Sequence, residues 1–143
     1  MRPTDKKLAS ILNQNGYKLT SQRLAVLDVI ANAQEHLTPS AVHRKVSEDH
    51  SEIGLVTVYR TLEMLSNLGL ICKVDRPGKS SSYTLAPAGH HHHLICSHCG
   101  AVADFTGCNL GELEQRLAQD TGFEIEGHML QFMGMCKNCR RQS

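Results

Sequence analysis

Residues 55–85 read LVTVYRTLEMLSNLGLICKVDRPGKSSSYTL, and a change of period inside this stretch decides the fold. Up to Asn67 the apolar positions Val58, Leu62 and Leu65 recur at helical spacing and leave Thr57, Tyr59, Arg60 and Glu63 on the outside. Gly69 is a residue that ends helices well, because it accepts the left-handed conformation there. Beyond it, LICKV (70–74) and SSYTL (81–85) are strand-like and flank DRPGKS, whose proline and glycine mark a turn. The expectation is a helix followed by a β-hairpin.

Upstream, Leu8, Ile11 and Leu12 form a helical stripe that stops at Gly16, and Ser21 opens a second helix carrying Leu24, Leu27 and Ile30. Thr38 followed by Pro39 is an N-cap with proline at the first helical position, and it opens a third helix with Val42 and Val46 facing in. Short helices closed by a hairpin is the order of a winged helix-turn-helix. The last helix is then the one to enter a DNA groove. Arg60 can bond guanine or a phosphate, Tyr59 can reach a phosphate or a thymine methyl, and Thr57 lies near the leading end. Lys18 and Arg23 flank the start of the second helix, where they can grip the backbone.

Charge and metal-binding residue types divide the chain in one place. Residues 1–86 hold 11 Lys/Arg against 8 Asp/Glu, and residues 87–143 hold 4 against 6, so the first part suits a polyanion. Five of the six cysteines and six of the nine histidines fall in 87–143. Two modules are therefore expected, 1–86 and 87–143, joined at PAG (87–89). Apolar runs such as LAVL (24–27) are too short to cross a bilayer, and residues 1–12 lack the apolar centre of a signal peptide. A cytoplasmic location with no membrane partner is expected, so paired cysteines read as metal or redox chemistry rather than disulfides.

In the second module Cys96-Ser97-His98-Cys99 is matched by Cys136-Lys137-Asn138-Cys139. Two Cys-x-x-Cys knuckles close an S₄ tetrahedron that suits structural Zn²⁺ and leaves no open position for catalysis. The 36 residues between them must contain folded structure. A strand at 101–105, a helix with Leu110, Leu113 and Leu117 on one face and Glu112 four residues before Arg116, and a strand near 123–132 are expected. The run His90-His91-His92-His93 enters a strand, so side chains alternate: His90 and His92 face one way, His91 and His93 the other. The four therefore do not share one metal but can serve two.

The ordered series GYKLTSQRLAVL (16–27), TVYRTLEMLSNLGLI (57–71), HHHHLICSHCG (90–100) and GHMLQFMGMCKNC (127–139) resembles the ferric uptake regulator (Fur) family over nearly the whole chain. The resemblance implies a metal-responsive transcriptional repressor of α+β class. Its parts would be a winged-helix domain and a small α/β dimerisation domain with a Cys₄ zinc site, acting as a homodimer on palindromic double-stranded operators. It implies a regulatory site from His36, Cys72, His91, His93 and Asp104, and an accessory site from His90, His92 and His128. The family's accessory glutamate falls at Gly111, with Glu112 one residue along as the expected ligand. Iron and peroxide sensors resemble one another in a carboxylate at the position of Thr84. Zinc sensors share Cys72 but carry a further cysteine where this chain has Ala86. A thiolate among imidazoles leans to Zn²⁺, the zinc uptake (Zur) branch, with Fe²⁺ or Mn²⁺ the alternative. Such a metal would bridge a hinge and set two recognition helices about one DNA turn, roughly 34 Å, apart.

Cys108 reads as an ordinary thiol near a helix start, with redox sensing the alternative. His98, His43 and His50 read as exposed residues. The rival class is a zinc enzyme, but neither His-Glu-x-x-His nor the His-x-Glu and Pro-Cys-x-x-Cys pattern of deaminases occurs. A zinc-ribbon interaction module would leave the winged-helix half without a use.

Overall fold

The helical and extended periods resolve in chain order into α1 (Pro3–Gln14), α2 (Ser21–Asn32), α3 (Pro39–Ser47), α4 (Leu55–Asn67), β1 (Ile71–Val74), β2 (Ser82–Leu85), β3 (His92–Cys96), β4 (Val102–Phe105), α5 (Gly111–Thr121), β5 (Gln131–Gly134) and α6 (Lys137–Arg141). The computed structural model describes residues 3–85 and 90–141, without the side chains of 3 and 4, so the joint at 87–89 lies outside the described residues. Two compact units result, 3–75 with 80–85 and 76–79 with 90–141.

In the first unit local chemistry sets the helix ends. The Thr20 hydroxyl accepts the Arg23 N–H, and the Thr38 hydroxyl accepts the Ala41 N–H, each at 3.2 Å. Each cap satisfies a donor that the helix leaves without an internal partner. The core is built from Leu12, Val26, Leu27, Ile30, Val42, Val46, Val58, Leu62 and Leu65 around Tyr83. Each such side chain contributes about 1.5–3 kcal/mol by leaving water. On α2 the buried face is Val26, Leu27 and Ile30, and Leu24 is only half-buried. β1 and β2 pair antiparallel from Ile71↔Leu85 to Val74↔Ser82. Leu37, just before α3, adds an antiparallel bridge to Tyr83 through bonds of 2.9 and 2.7 Å. That bridge ties the winged-helix hairpin to the helices.

The second unit is a three-stranded sheet in the order β4-β3-β5. β4 runs antiparallel to β3, with His93 opposite Asp104, and β5 runs parallel to β3, with Cys96 opposite Gly134. A parallel pair needs a crossover, which β4 and α5 supply. The expected strand over 123–132 is corrected to Gln131–Gly134, while 122–130 carries no regular structure. Alternation at Phe123 and Ile125 imitated a strand, but the edge of β3 is taken by the segment leading into Cys136. Few apolar side chains are buried here. Ile95 is 2% exposed, whereas α5 buries none of its residues, and Leu113 and Leu117 stand 40% and 43% exposed.

Candidate metal centres and nucleic-acid interface

Parallel pairing of β3 and β5 brings both knuckles to one end of the sheet, because each strand runs directly into its Cys-x-x-Cys. Gly100 closes the first knuckle at φ +81°, a conformation that glycine adopts without strain. Cys96 Sγ lies 3.8 Å from Cys139 Sγ, and Cys99 Sγ lies 3.7 Å from Cys136 Sγ. Four sulfurs at about 2.3 Å from a tetrahedral Zn²⁺ stand about 3.8 Å apart, so this set fits the ion. The backbone N–H groups of Cys99 and Cys136 donate to Cys96 Sγ at 3.4 and 3.3 Å. They hold its pKa down to about 5, while hydrogen bonding with Cys136 and burial push Cys139 up to about 12. Four thiolates this close repel one another, and a cation among them offsets that repulsion. Zn²⁺ here would tie the two strand ends together.

Alternation along the strand separates the histidine run as expected, but the accessory set differs from the one expected. His90, His92, Cys108 and His128 converge. Cys108 Sγ lies 2.9, 3.0 and 3.4 Å from Nε2 of His90, His92 and His128. His128 Nε2 lies 3.1 Å from His90 Nε2 and 3.0 Å from His92 Nε2. Glu112 is not among them: it lies exposed at the second position of α5. The carboxylate that reaches this cluster is that of Glu114, whose Oε1 is 2.6 Å from His128 Nδ1. Sequence reasoning missed both Cys108 and Glu114, and the missing carboxylate at Gly111 was the one available signal. Burial, then the charges of His90 and His128, lowers the pKa of His92, which keeps its imidazole neutral with a lone pair to offer.

On the other face of β3, His91 and His93 stand with ring centroids 5.1 Å apart, and His93 Nε2 is 3.2 Å from Asp104 Oδ1. The antiparallel register explains the second contact, since it sets His93 against Asp104. In the first unit, Cys72 is half-buried in β1 opposite Thr84, and His36 is half-buried next to Leu37.

The outer side of α4 joins the start of α2 in a groove lined by Tyr17, Arg23, Thr57, Tyr59, Arg60 and Glu63. Arg23 Nη1 donates to the Lys18 carbonyl at 2.6 Å, and the Arg23 guanidinium lies 5.5 Å from the centre of the Tyr17 ring. Thr57 is half-buried, Tyr59 and Arg60 exposed. Glu63, the sole acid of α4, is tied down: it accepts from the Tyr83 hydroxyl at 2.6 Å and pairs with Lys73 Nζ at 2.9 Å. The groove thus presents cationic and hydroxyl groups with its carboxylate offset.

Residues 14–133 match the model of the Ferric uptake regulator family. The chain is 40% identical over 132 residues to the ferric uptake regulation protein of Bacillus subtilis, covering 90% of this chain and 89% of that one. It is 30% identical over 139 residues to the protein of that name in Campylobacter jejuni, covering 96% and 88%. Among solved structures, the iron-containing ferric uptake regulator of Francisella tularensis superposes with a TM-score of 0.77 at 29% identity, over 87% of this chain and 96% of that one. A zinc-bound manganese uptake regulator superposes at 0.65 and 27%, over 90% and 96%.

Proposed function

The chain belongs to the ferric uptake regulator family, regulators rather than enzymes, and from that premise we propose that it is a metal-dependent DNA-binding repressor of metal-homeostasis genes. The modules 1–86 and 87–143 act as the DNA-binding and dimerisation parts. Lys18, Arg23, Thr57, Tyr59 and Arg60 contact a palindromic double-stranded operator. Cys96, Cys99, Cys136 and Cys139 hold structural Zn²⁺. The regulatory ion is taken by His36, Cys72, His91, His93 and Asp104. The cytoplasm is its site of action, in keeping with the lack of any helix long and apolar enough to cross a membrane among the described residues.

The observation that carries the regulatory assignment is His93, 3.2 Å from Asp104 and beside His91 on one face of β3. Two imidazoles and a carboxylate on a rigid sheet make half of a metal site, and Cys72 would soften it toward Zn²⁺. Iron is the second reading, favoured by the names of the Bacillus subtilis and Campylobacter jejuni relatives and by the iron-containing Francisella tularensis structure.

A homodimer is supported by surface chemistry. All four residues of β5 are exposed, including Phe132 at 51% and Met133 at 54%. Leu113 and Leu117 of α5 are exposed as well, and apolar surface of this kind is what a second copy can cover. The test is operator affinity titrated against buffered Zn²⁺, Fe²⁺ and Mn²⁺. His91→Ala with His93→Ala is expected to abolish the metal dependence while leaving a folded dimer. DNA affinity of that variant that still rises with metal, as in the wild type, overturns the assignment.

A further inference from the structure

We propose that Glu63 is a specificity-determining residue of the DNA interface: its carboxylate, fastened to the wing through one oxygen, presents the other to the groove as an acceptor for the exocyclic amine of cytosine. This role rests on the reading of α4 as the helix that enters DNA. It adds a residue of opposite charge to Lys18, Arg23, Thr57, Tyr59 and Arg60.

Position is the first support. Glu63 follows Arg60 by three residues and Tyr59 by four, so the three side chains are neighbours on one face of α4. All three line the groove shared by α4 and the start of α2. An acid there needs a reason, because the phosphates that flank a DNA groove repel it.

Geometry supplies one. The Tyr83 hydroxyl donates to Glu63 Oε1 at 2.6 Å, and Lys73 Nζ lies 2.9 Å from the same oxygen. Both partners belong to the hairpin, Lys73 to β1 and Tyr83 to β2. Tyr83 is 1% exposed, so its hydroxyl projects from a fixed ring. The Glu63 side chain nevertheless stays 46% exposed, and both contacts fall on Oε1, which leaves Oε2 to accept from outside. A long side chain ordered in advance loses less entropy on binding than one ordered by the contact itself. Lys73 also offsets the negative charge, and the two donors hold the carboxyl below its ordinary pKa of 4.5, so it remains an acceptor beside phosphates.

The base edges select the partner. In the major groove guanine shows two acceptors and thymine one acceptor beside its methyl group, so neither has a donor for a carboxylate. Adenine has an amine, but its N7 lone pair stands beside that amine and repels an anion. Cytosine shows its N4 amine with no acceptor of its own next to it, which suits Glu63 Oε2.

The test selects binding sites from a duplex pool randomised through its centre, using the full-length chain saturated in turn with Zn²⁺ and Mn²⁺. Wild type is expected to demand cytosine at one position of each half-site, where another base weakens binding about 5–150-fold. Glu63→Ala should level that position while the others keep their ratios, and its affinity for a scrambled duplex should not fall, since a negative charge has left the groove. Glu63→Gln, which keeps the shape should the alanine variant fold poorly, should move the preference there toward adenine, whose N6 and N7 a carboxamide pairs together. Tyr83→Phe releases one of the two fasteners and should narrow the discrimination at that same position alone. A Glu63→Ala profile identical to that of wild type overturns the assignment, as does a loss that falls equally on every duplex, which is the signature of a strut between wing and helix. Wild type that enriches no sequence with either metal overturns the DNA-binding reading and this role together, whereas enrichment that Arg60→Ala alters and Glu63→Ala does not overturns this role alone.

Discussion

Tyr83 of β2, 1% exposed, donates its hydroxyl to Glu63 of α4 at 2.6 Å, which links the wing to the helix expected to read DNA. The Tyr83 bond, followed by Lys73, lowers the Glu63 pKa below its ordinary 4.5. Burial, then the same bond, pushes the Tyr83 phenol up, so it stays a donor across the neutral range.

The sign of the pH effect follows. A depressed carboxylate pKa adds stability that is present above the ordinary value and is lost as pH falls through the lowered one. Urea unfolding of wild type should therefore weaken in acid more steeply than that of Glu63→Gln. Tyr83→Phe should cost about 1–2 kcal/mol at neutral pH and flatten the same acid limb. Parallel wild-type and variant acid limbs would remove Glu63 from this role.

Removing the Cys₄ centre should be far more severe. Cys96→Ser with Cys136→Ser loses two of four thiolates in a unit that buries little apolar surface. Structural zinc is worth about 10–16 kcal/mol in small domains, more than most domains have to spare. The expected outcome is loss of one zinc equivalent per chain, with loss of the folded second unit or of the dimer, read by metal analysis and sedimentation. A folded, zinc-free dimer would contradict it.

The two kinds of arginine in the groove should behave differently. Arg60→Ala is expected to weaken operator binding by about 1–3 kcal/mol and to relax discrimination at one base position. Arg23 is fastened to the Lys18 carbonyl beside Tyr17. Its replacement by alanine should weaken specific and non-specific DNA alike and lower the salt slope by about 1. Gel shifts on operator and scrambled duplexes at several salt concentrations separate the cases.

The exposed apolar side chains of the second unit give a fourth test. Met133→Asp or Leu117→Asp puts a charge on a surface that faces water in one chain but would be covered in a dimer. Sedimentation should show monomer, with zinc content unchanged. A variant that stays dimeric would move the interface elsewhere.

Several parts of this fold are legible without coordinates because they rest on local chemistry. Thr38 and Pro39 announce a helix start through one side-chain bond and one fixed dihedral, and the structure starts α3 there. Val58, Leu62 and Leu65 announce a buried face by period alone, and all three are at most 1% exposed. Phe123 and Ile125 misled because alternation shows that a strand is possible, whereas pairing requires a free edge. The register running into Cys136 had already given that edge to Gln131–Gly134.

The four histidines divide the same way. Strand geometry alone sends His90 and His92 to one face and His91 and His93 to the other, since the two-residue period is a covalent property of extended chain. The partners each pair meets are not local. Asp104 reaches His93 through antiparallel register, and Cys108 and His128 reach His90 and His92 from segments 16 to 38 residues away. Sequence alone therefore determined the paired cysteines, the helical faces and the division of the histidines. Tertiary structure decided that Cys108, and not Glu112, stands with His90, His92 and His128, because only packing sets which distant side chains converge.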